Sequence, residues 1–331
     1  MGCATLNEFS KATNKLDFTT IRKKLARWYT RRRRDLPWRR TRDPYAIWIS
    51  EIMLQQTRVA AVIPYYERFL ARFPDAASLA SADEAEVLTH WSGLGYYSRA
   101  RNLRRAAQRI ADTGNFPRDY AGIRDLPGIG AYTAAAIASI AYGLPYAVVD
   151  GNVRRVVTRL ANDADVNTQA VADGLLDRKN PGRSNQALME LGALVCLPRD
   201  PLCGDCPIAP NCGAHRHGTE ADLPPRRPKP ETVYLQRTLL LIQRRDRILM
   251  IPSVRVKGFW DLPEPVRGAR AGKNLGAFRH TILNRQYSFE VRKGSVDRTP
   301  RGMHWFSKRE FHQIPLSTTA RKALELAKKS S

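Results

Sequence analysis

The chain has 331 residues, 43% of them hydrophobic, which is enough to bury sizeable cores and, by length, to form two domains. Lysine and arginine outnumber aspartate and glutamate 55 to 31, and the resulting charge of +24 calls for a polyanionic partner. No apolar run reaches the ~18 residues of a membrane span, and the start MGCATLNEFSK lacks the apolar core of an export signal, so nucleic acid in the cytoplasm is the expected partner rather than a membrane.

In chain order, Phe18, Ile21, Leu25, Trp28 and Tyr29 fall at helical spacing, with Thr19 or Thr20 available as the cap. The run Arg31–Arg34 follows, and Asp43-Pro44 punctuates the chain. Helices are predicted over about 45–57 and 65–73, then over 83–91, 98–112, 131–142, 152–161 and 184–195, joined by short turns. The polar, proline-rich stretch 217–232 reads as a linker. Beyond it, Thr238–Ile242 and Arg247–Ile251 flank the charged turn Arg244-Arg245-Asp246 as a β-hairpin, and a last helix fits Thr318–Lys328. The expected partition is an extension over 1–16, a helical domain over 17–216, the linker 217–232 and a small α+β domain over 233–331.

Four of the five cysteines crowd into Cys196-x6-Cys203-x2-Cys206-x5-Cys212. Soft thiolates at such intervals can share one centre, an iron–sulfur cluster or zinc. Zinc sites favour two paired Cys-x2-Cys knuckles and this array has one, which tilts the reading to a cluster. Cys3, in the polar extension, reads as a bystander. The turn Leu126-Pro127-Gly128-Ile129-Gly130 joins two helical patterns, where Gly128 and Gly130 permit close backbone approach and the next helix offers free N–H groups to a phosphate. An ordinary helix-to-helix turn is the alternative.

Glu51 has Ile47, Trp48, Leu54 and Gln55 at three and four residues, so its carboxyl leaves a largely apolar helix face. Desolvation there raises a pKa, and a carboxyl kept protonated near neutral pH suits a general acid. Asp150 follows Ala147-Val148-Val149 and precedes a helical pattern from Val153, so it reads first as an N-cap, a position that also keeps a carboxylate ionised. One protonated and one ionised carboxyl is the pairing that glycosidic cleavage through an oxocarbenium-like state uses.

Leu36-Pro37-Trp38-Arg39, Ser50-Glu51-Ile52-Met53-Leu54-Gln55-Gln56-Thr57, Gly93-Leu94-Gly95-Tyr96-Tyr97-Ser98-Arg99, the 126–130 turn, Val149-Asp150-Gly151-Asn152-Val153 and the cysteine loop resemble, in order and near spacing, the MutY-type adenine DNA glycosylases. The resemblance implies an all-α helix-hairpin-helix glycosylase domain with a 4Fe-4S cluster loop at 196–212, held by Cys196, Cys203, Cys206 and Cys212, followed by a small α+β nudix-like domain. It implies that adenine mispaired with 8-oxoguanine or guanine is flipped from double-stranded DNA and hydrolysed off, with the chain acting as a monomer. Glu51 matches the acid that protonates the adenine and Asp150 the carboxylate that stabilises the sugar cation, flanked by Tyr132 and Asn152. Gln56 and Tyr96 match residues that wedge into the base stack, and Arg39, Leu54, Thr57, Gly128, Gly130 and Arg154 complete the expected DNA contacts.

Endonuclease III-type relatives carry a lysine where this chain has Tyr132, and a phenol forms no Schiff base, so hydrolysis without strand cleavage is expected. In the C-terminal part, Gly258-Phe259-Trp260-Asp261-Leu262-Pro263 and Phe278-Arg279-His280-Thr281 resemble the family's nudix-like domain. The loop after His-Thr normally supplies Phe-Ser-His to read 8-oxoguanine; this chain has Ile282-Leu283-Asn284, which leaves the choice between 8-oxoguanine and guanine open. Rival readings are excision of another mispaired base, as in thymine-mismatch relatives, and DNA binding without activity.

Overall fold

The computed structural model describes residues 16–225 and 230–329. Cys3 and the rest of the extension before Leu16, linker positions 226–229, and Ser330 and Ser331 lie outside the described residues. Two compact units are present: Met1–Glu67 with Arg109–Arg227, and Arg68–Gln108 with Pro228–Ser331.

In the first unit, α1 (Phe18–Arg32) is capped not by Thr19 or Thr20 but by Asp17, whose side chain accepts from the Thr20 N–H at 3.0 Å. Both threonines therefore lie inside the first turn. α2 (Pro44–Leu54) is capped by Asp43, which accepts from the N–H groups of Tyr45 and Ala46, while Pro44 sits at the first helical position, where a missing N–H is harmless. It stops short of the predicted Thr57 because Gln56 takes a left-handed φ of +57°, which no α-helix continues through.

α3 (Val59–Arg72), α4 (Ala76–Ser81), α5 (Glu84–Trp91) and α6 (Ser98–Thr113) follow, then α7 (Tyr120–Asp125) and α8 (Ala131–Tyr142) around the glycine turn. α9 (Gly151–Ala161), α10 (Thr168–Leu175), α11 (Pro181–Leu194) and the short α12 (Gly213–His217) complete the helical series. α2 and α8 are buried on nearly all sides, α2 from Tyr45 to Met53 and α8 from Thr133 to Ser139. The small side chains of α8, mostly alanine, let α2, α7 and α11 pack closely against it. A second core joins Ile21 and Leu25 of α1 to Val153, Val156 and Leu160 of α9 and to Leu188 and Leu191 of α11. Each such side chain, fully buried, contributes about 1.5–3 kcal/mol.

The second unit contains a sheet of β1 (Val233–Arg244), β2 (Arg247–Pro252), β3 (Trp260–Asp261), β4 (Ala269–Ile282), β5 (Arg285–Val296) and β6 (His304–Ser307), in the order β3-β2-β1-β5-β4 with β6 on β2. The β1–β2 hairpin expected at Arg244–Asp246 is present, with Arg245 at φ +53°, but its ladder is short. β1 instead pairs in parallel with β5 from Val233↔Arg285 to Ile242↔Gly294. α13 (Thr318–Lys329) places Ala320 and Ala323 in a core with Leu239, Phe289 and Val291. Arg68–Gln108 belongs to this unit: Ser92 donates to the Leu316 carbonyl at 2.8 Å, and the Tyr97 and Phe259 rings lie 4.1 Å apart. Among the described residues no helix is long and apolar enough to cross a membrane.

Candidate active site

A cavity of about 600 Å³ in the first unit is lined by Glu51, Tyr132, Asp150 and Asn152 together with Arg39, Leu54, Gln56 and Thr57. Residues more than a hundred positions apart thus share one wall set. Glu51 projects from α2, the helix that buries almost every side chain, and is itself only 7% exposed. Its Oε2 accepts from the Tyr132 hydroxyl at 3.0 Å, and that hydroxyl also lies 3.3 Å from the Met189 sulfur.

Burial, reinforced by the Asp150 charge, pushes the Glu51 carboxyl up to about 7, against the opposing pull of the Tyr132 hydrogen bond and the Arg39 charge. Burial beside the same two carboxyls raises the Tyr132 phenol well above its ordinary range, so it stays a neutral donor.

Asp150 is the N-cap of α9 and accepts from the Val153 N–H at 2.7 Å through Oδ1. Its Oδ2 accepts from the Asn152 amide at 3.0 Å. The Asn152 carbonyl oxygen in turn accepts from Arg155, at 3.0 Å, and Arg155 also donates to the backbone carbonyls of Cys196 and Gly192, at 2.7 and 2.6 Å. Every hydrogen bond at this carboxylate comes from a donor, the Val153 N–H and the Asn152 amide. The N-cap reading of Asp150 holds. Gly192 of α11 is what allows Asn152 this position: a Cβ there would stand 2.7 Å from the Asn152 Cβ.

The other expected DNA contacts are distributed as follows. Gly128 has φ +80° in the turn before α8, and Gly130 is an N-cap without a side-chain hydrogen bond, which leaves the first N–H groups of α8 to an outside acceptor. Arg154 is exposed on the first turn of α9. Tyr96, in the second unit, is 50% exposed with φ +48°, and the Arg99 guanidinium lies over its ring at 5.5 Å. Arg39 has its guanidinium on the Glu190 carboxylate at 2.8 and 2.9 Å, with only 11% of the side chain exposed.

Glu190 was missed by sequence reasoning. It is 1% exposed and also receives the Arg34 guanidinium at 2.6 and 3.0 Å. Although burial alone would raise it, the hydrogen bonds from Arg39 and Arg34 hold it at about 2. A signal was present: Glu190, like Glu51, is a lone acid in an apolar helical stretch, Ala187-Leu188-Met189-Glu190-Leu191.

Cys196, Cys203, Cys206 and Cys212 line one small cavity, and none is in a disulfide. Arg159, 2% exposed, donates to the Cys196 sulfur at 3.3 Å. Burial and the neighbouring sulfurs push the Cys206 thiol up to about 12, and burial with Glu220 pushes Cys203 to about 11. Four soft ligands crowded where their own charges repel suit a cationic centre that would offset the repulsion. A mixed donor set overlaps them: ligand atoms of Cys203, His215 and Glu220 lie within 4.8 Å of one another.

A family model described as HhH-GPD superfamily base excision DNA repair protein matches residues 49–179. The chain is 47% identical to the adenine DNA glycosylase of Rattus norvegicus over 60% of its own length, which spans only 42% of that protein. It is 32% identical to the adenine DNA glycosylase of Mus musculus over 98% of its own length and 81% of that protein. Among solved structures, a thermostable thymine-DNA glycosylase superposes with TM-score 0.58 at 30% identity, covering 62% of this chain and all of that one.

Proposed function

Because this chain belongs to the adenine DNA glycosylase family, we propose that it removes mispaired adenine from duplex DNA by hydrolysing the N-glycosidic bond of an extruded nucleotide. The observation that carries the reading is a carboxyl raised to about 7, Glu51, in the same cavity as the hydrogen-bonded carboxylate Asp150. The cavity lies in the size range of small-ligand pockets, and extrusion is how enzymes reach an atom hidden in a base stack.

Glu51 donates its proton to the adenine as the glycosidic bond breaks and the electron pair leaves with the base. Asp150 stabilises the cation left on the sugar. Water then adds to the sugar carbon and returns a proton to Glu51. Tyr132, donating to Oε2, leaves the other Glu51 oxygen to carry the transferred proton. Asn152 and Arg155 hold Asp150 in register. Among the described residues no lysine lines the cavity, so the sugar is not captured as a Schiff base, and borohydride treatment is expected to trap no covalent DNA adduct.

Gln56 acts as a wedge at the opened stack, with Leu54, Thr57, Arg154 and the N–H groups at the start of α8 on the strand. Cys196, Cys203, Cys206 and Cys212 hold a 4Fe-4S cluster, whose role is to tie the 196–212 loop to the helical unit. Iron and acid-labile sulfide in equal amounts are expected in the purified protein; zinc in their place would favour the mixed Cys203–His215–Glu220 set. The sheet of the second unit is nudix-like and reads the opposite strand, with Leu283, 81% exposed in the β4–β5 turn, facing it.

Single-turnover kinetics on duplexes with A opposite 8-oxoguanine, A opposite guanine and T opposite guanine test the proposal. Adenine is expected to be released from the first two. Release from the T duplex alone would assign the chain to thymine-mismatch repair, and release from none would leave DNA binding only.

A further inference from the structure

The Tyr132 hydroxyl has one hydrogen and two acceptors within reach, Glu51 Oε2 at 3.0 Å and the Met189 sulfur at 3.3 Å. The three side chains come from three helices: Glu51 from α2, Tyr132 from the first turn of α8 and Met189 from α11. Helix packing, not a loop, therefore fixes their arrangement. Met189 is half-buried, packs against the second core and lines the Glu51 cavity. Excision as proposed uses the bond from Tyr132 to Glu51 and gives the sulfur no task.

The two acceptors respond differently to charge. A thioether sulfur is a weak, neutral acceptor at any pH. Oε2 is a neutral carbonyl oxygen while Glu51 is protonated and part of a carboxylate once it is not, and a hydrogen bond to the charged form is roughly twice as strong. Sulfur thus competes for the hydroxyl while Glu51 holds its proton, and the carboxylate wins it back on ionisation. An acceptor that favours the protonated state in this way opposes ionisation. It also defers the Tyr132 bond to the stage at which negative charge develops on Glu51, where a hydrogen bond speeds the reaction most.

The other charged groups that face Glu51 are Asp150 at the start of α9, Arg34 and Arg39 from the segment between α1 and α2, and Glu190 on α11. Arg34 and Arg39 are both bound to Glu190, and Asp150 accepts from the Val153 N–H and the Asn152 amide. Asp150 and Arg39 bias Glu51 through their charges. Among the described residues, Glu51 and Met189 are the hydrogen-bond partners of the Tyr132 hydroxyl. We propose that Met189 is a positioning residue for excision, holding the Tyr132 hydroxyl while Glu51 is protonated and yielding it to Oε2 as Glu51 gives up its proton; the inference rests on Glu51 being the acid.

The test is a double-substitution cycle in the full chain, read as the pH profile of single-turnover adenine release from an A:guanine duplex. Met189→Leu keeps the volume and the apolar contacts and removes the sulfur. Its rate should match wild type at pH ~5, while the falling limb above neutrality moves down by about half a pH unit, which makes release about threefold slower at pH ~8. In a Tyr132→Phe background the same substitution should leave the profile where it was, because no hydroxyl remains to compete for. Melting temperatures follow the same carboxyl without turnover: Met189→Leu should gain on wild type as pH rises from ~5 to ~8, and should show no such gain in the Tyr132→Phe background. An unmoved limb, or a shift of equal size in both backgrounds, overturns the inference and leaves the sulfur as packing alone. A wild-type rate with no fall above neutrality would instead remove Glu51 as the acid, and this inference with it.

Discussion

Glu51 is acidic near neutral pH because a helix with no solvent face leaves its charged form poorly solvated while Asp150 adds repulsion. The same displacement is a stability cost. Raising the carboxyl from 4.5 to about 7 makes its ionisation in the folded chain unfavourable by on the order of 3 kcal/mol. The penalty is absent below the unfolded value, grows between the two and is complete above the folded one, so stability falls as pH rises through that window. Glu51→Gln should therefore raise the melting temperature more at pH ~8 than at pH ~5, while slowing excision by about 10²- to 10⁴-fold at unchanged duplex affinity. A variant that melts lower at the higher pH would show the carboxylate to be stabilising instead. Glu51 was legible in the sequence because its apolar neighbours lie within one helical turn. Glu190 carries a similar local signature, but its meaning depends on Arg34 and Arg39, some 150 positions away, and no local pattern reports such a pairing.

At the scale of elements, the site depends on how closely α9 and α11 approach. Gly192 is the closest point, since a methyl group there would meet Asn152 at 2.7 Å and so disturb the residue that holds Asp150. Gly192→Ala is expected to slow single-turnover excision by about ten- to a hundredfold with little change in duplex affinity, because it displaces a positioning residue and removes no DNA contact. Unchanged kinetics would mean that the Asn152 contact is dispensable. The principal helices around the site were readable from periodicity; α8 was predicted over the span it occupies, and α9 begins one residue early because Asp150 caps it. α4, α7 and α12 are too short for a period of 3.6 to show against their caps; α10, as long as the predicted α5, was not predicted either. β4 and β5 were not delimited either: β4 mixes arginine, lysine and glycine and is broken by register shifts between Ala271 and Gly276, so its alternation does not survive in sequence.

For the whole molecule, the charge of +24 sets the terms of encounter with DNA. If six or more phosphates are neutralised, affinity for an undamaged duplex should fall by about 10³-fold or more between 50 and 200 mM salt, whatever the sequence. A salt-insensitive affinity would detach the charge from the function. Composition pointed to a polyanionic partner, and the motif order pointed to the helical unit. The division of the chain in space was not legible: Arg68–Gln108 reads as continuous helix pattern, yet it folds with the C-terminal strands through contacts such as Ser92 to Leu316. The proposed chemistry turns on a proton held by one buried acid, Glu51. The most direct test follows the single-turnover rate of adenine release from an A:guanine duplex between about pH 5 and 9. The rate should be level at the acid end and decline by tenfold per unit above about 7, as Glu51 ionises; a rate that holds or climbs across that interval would contradict the account.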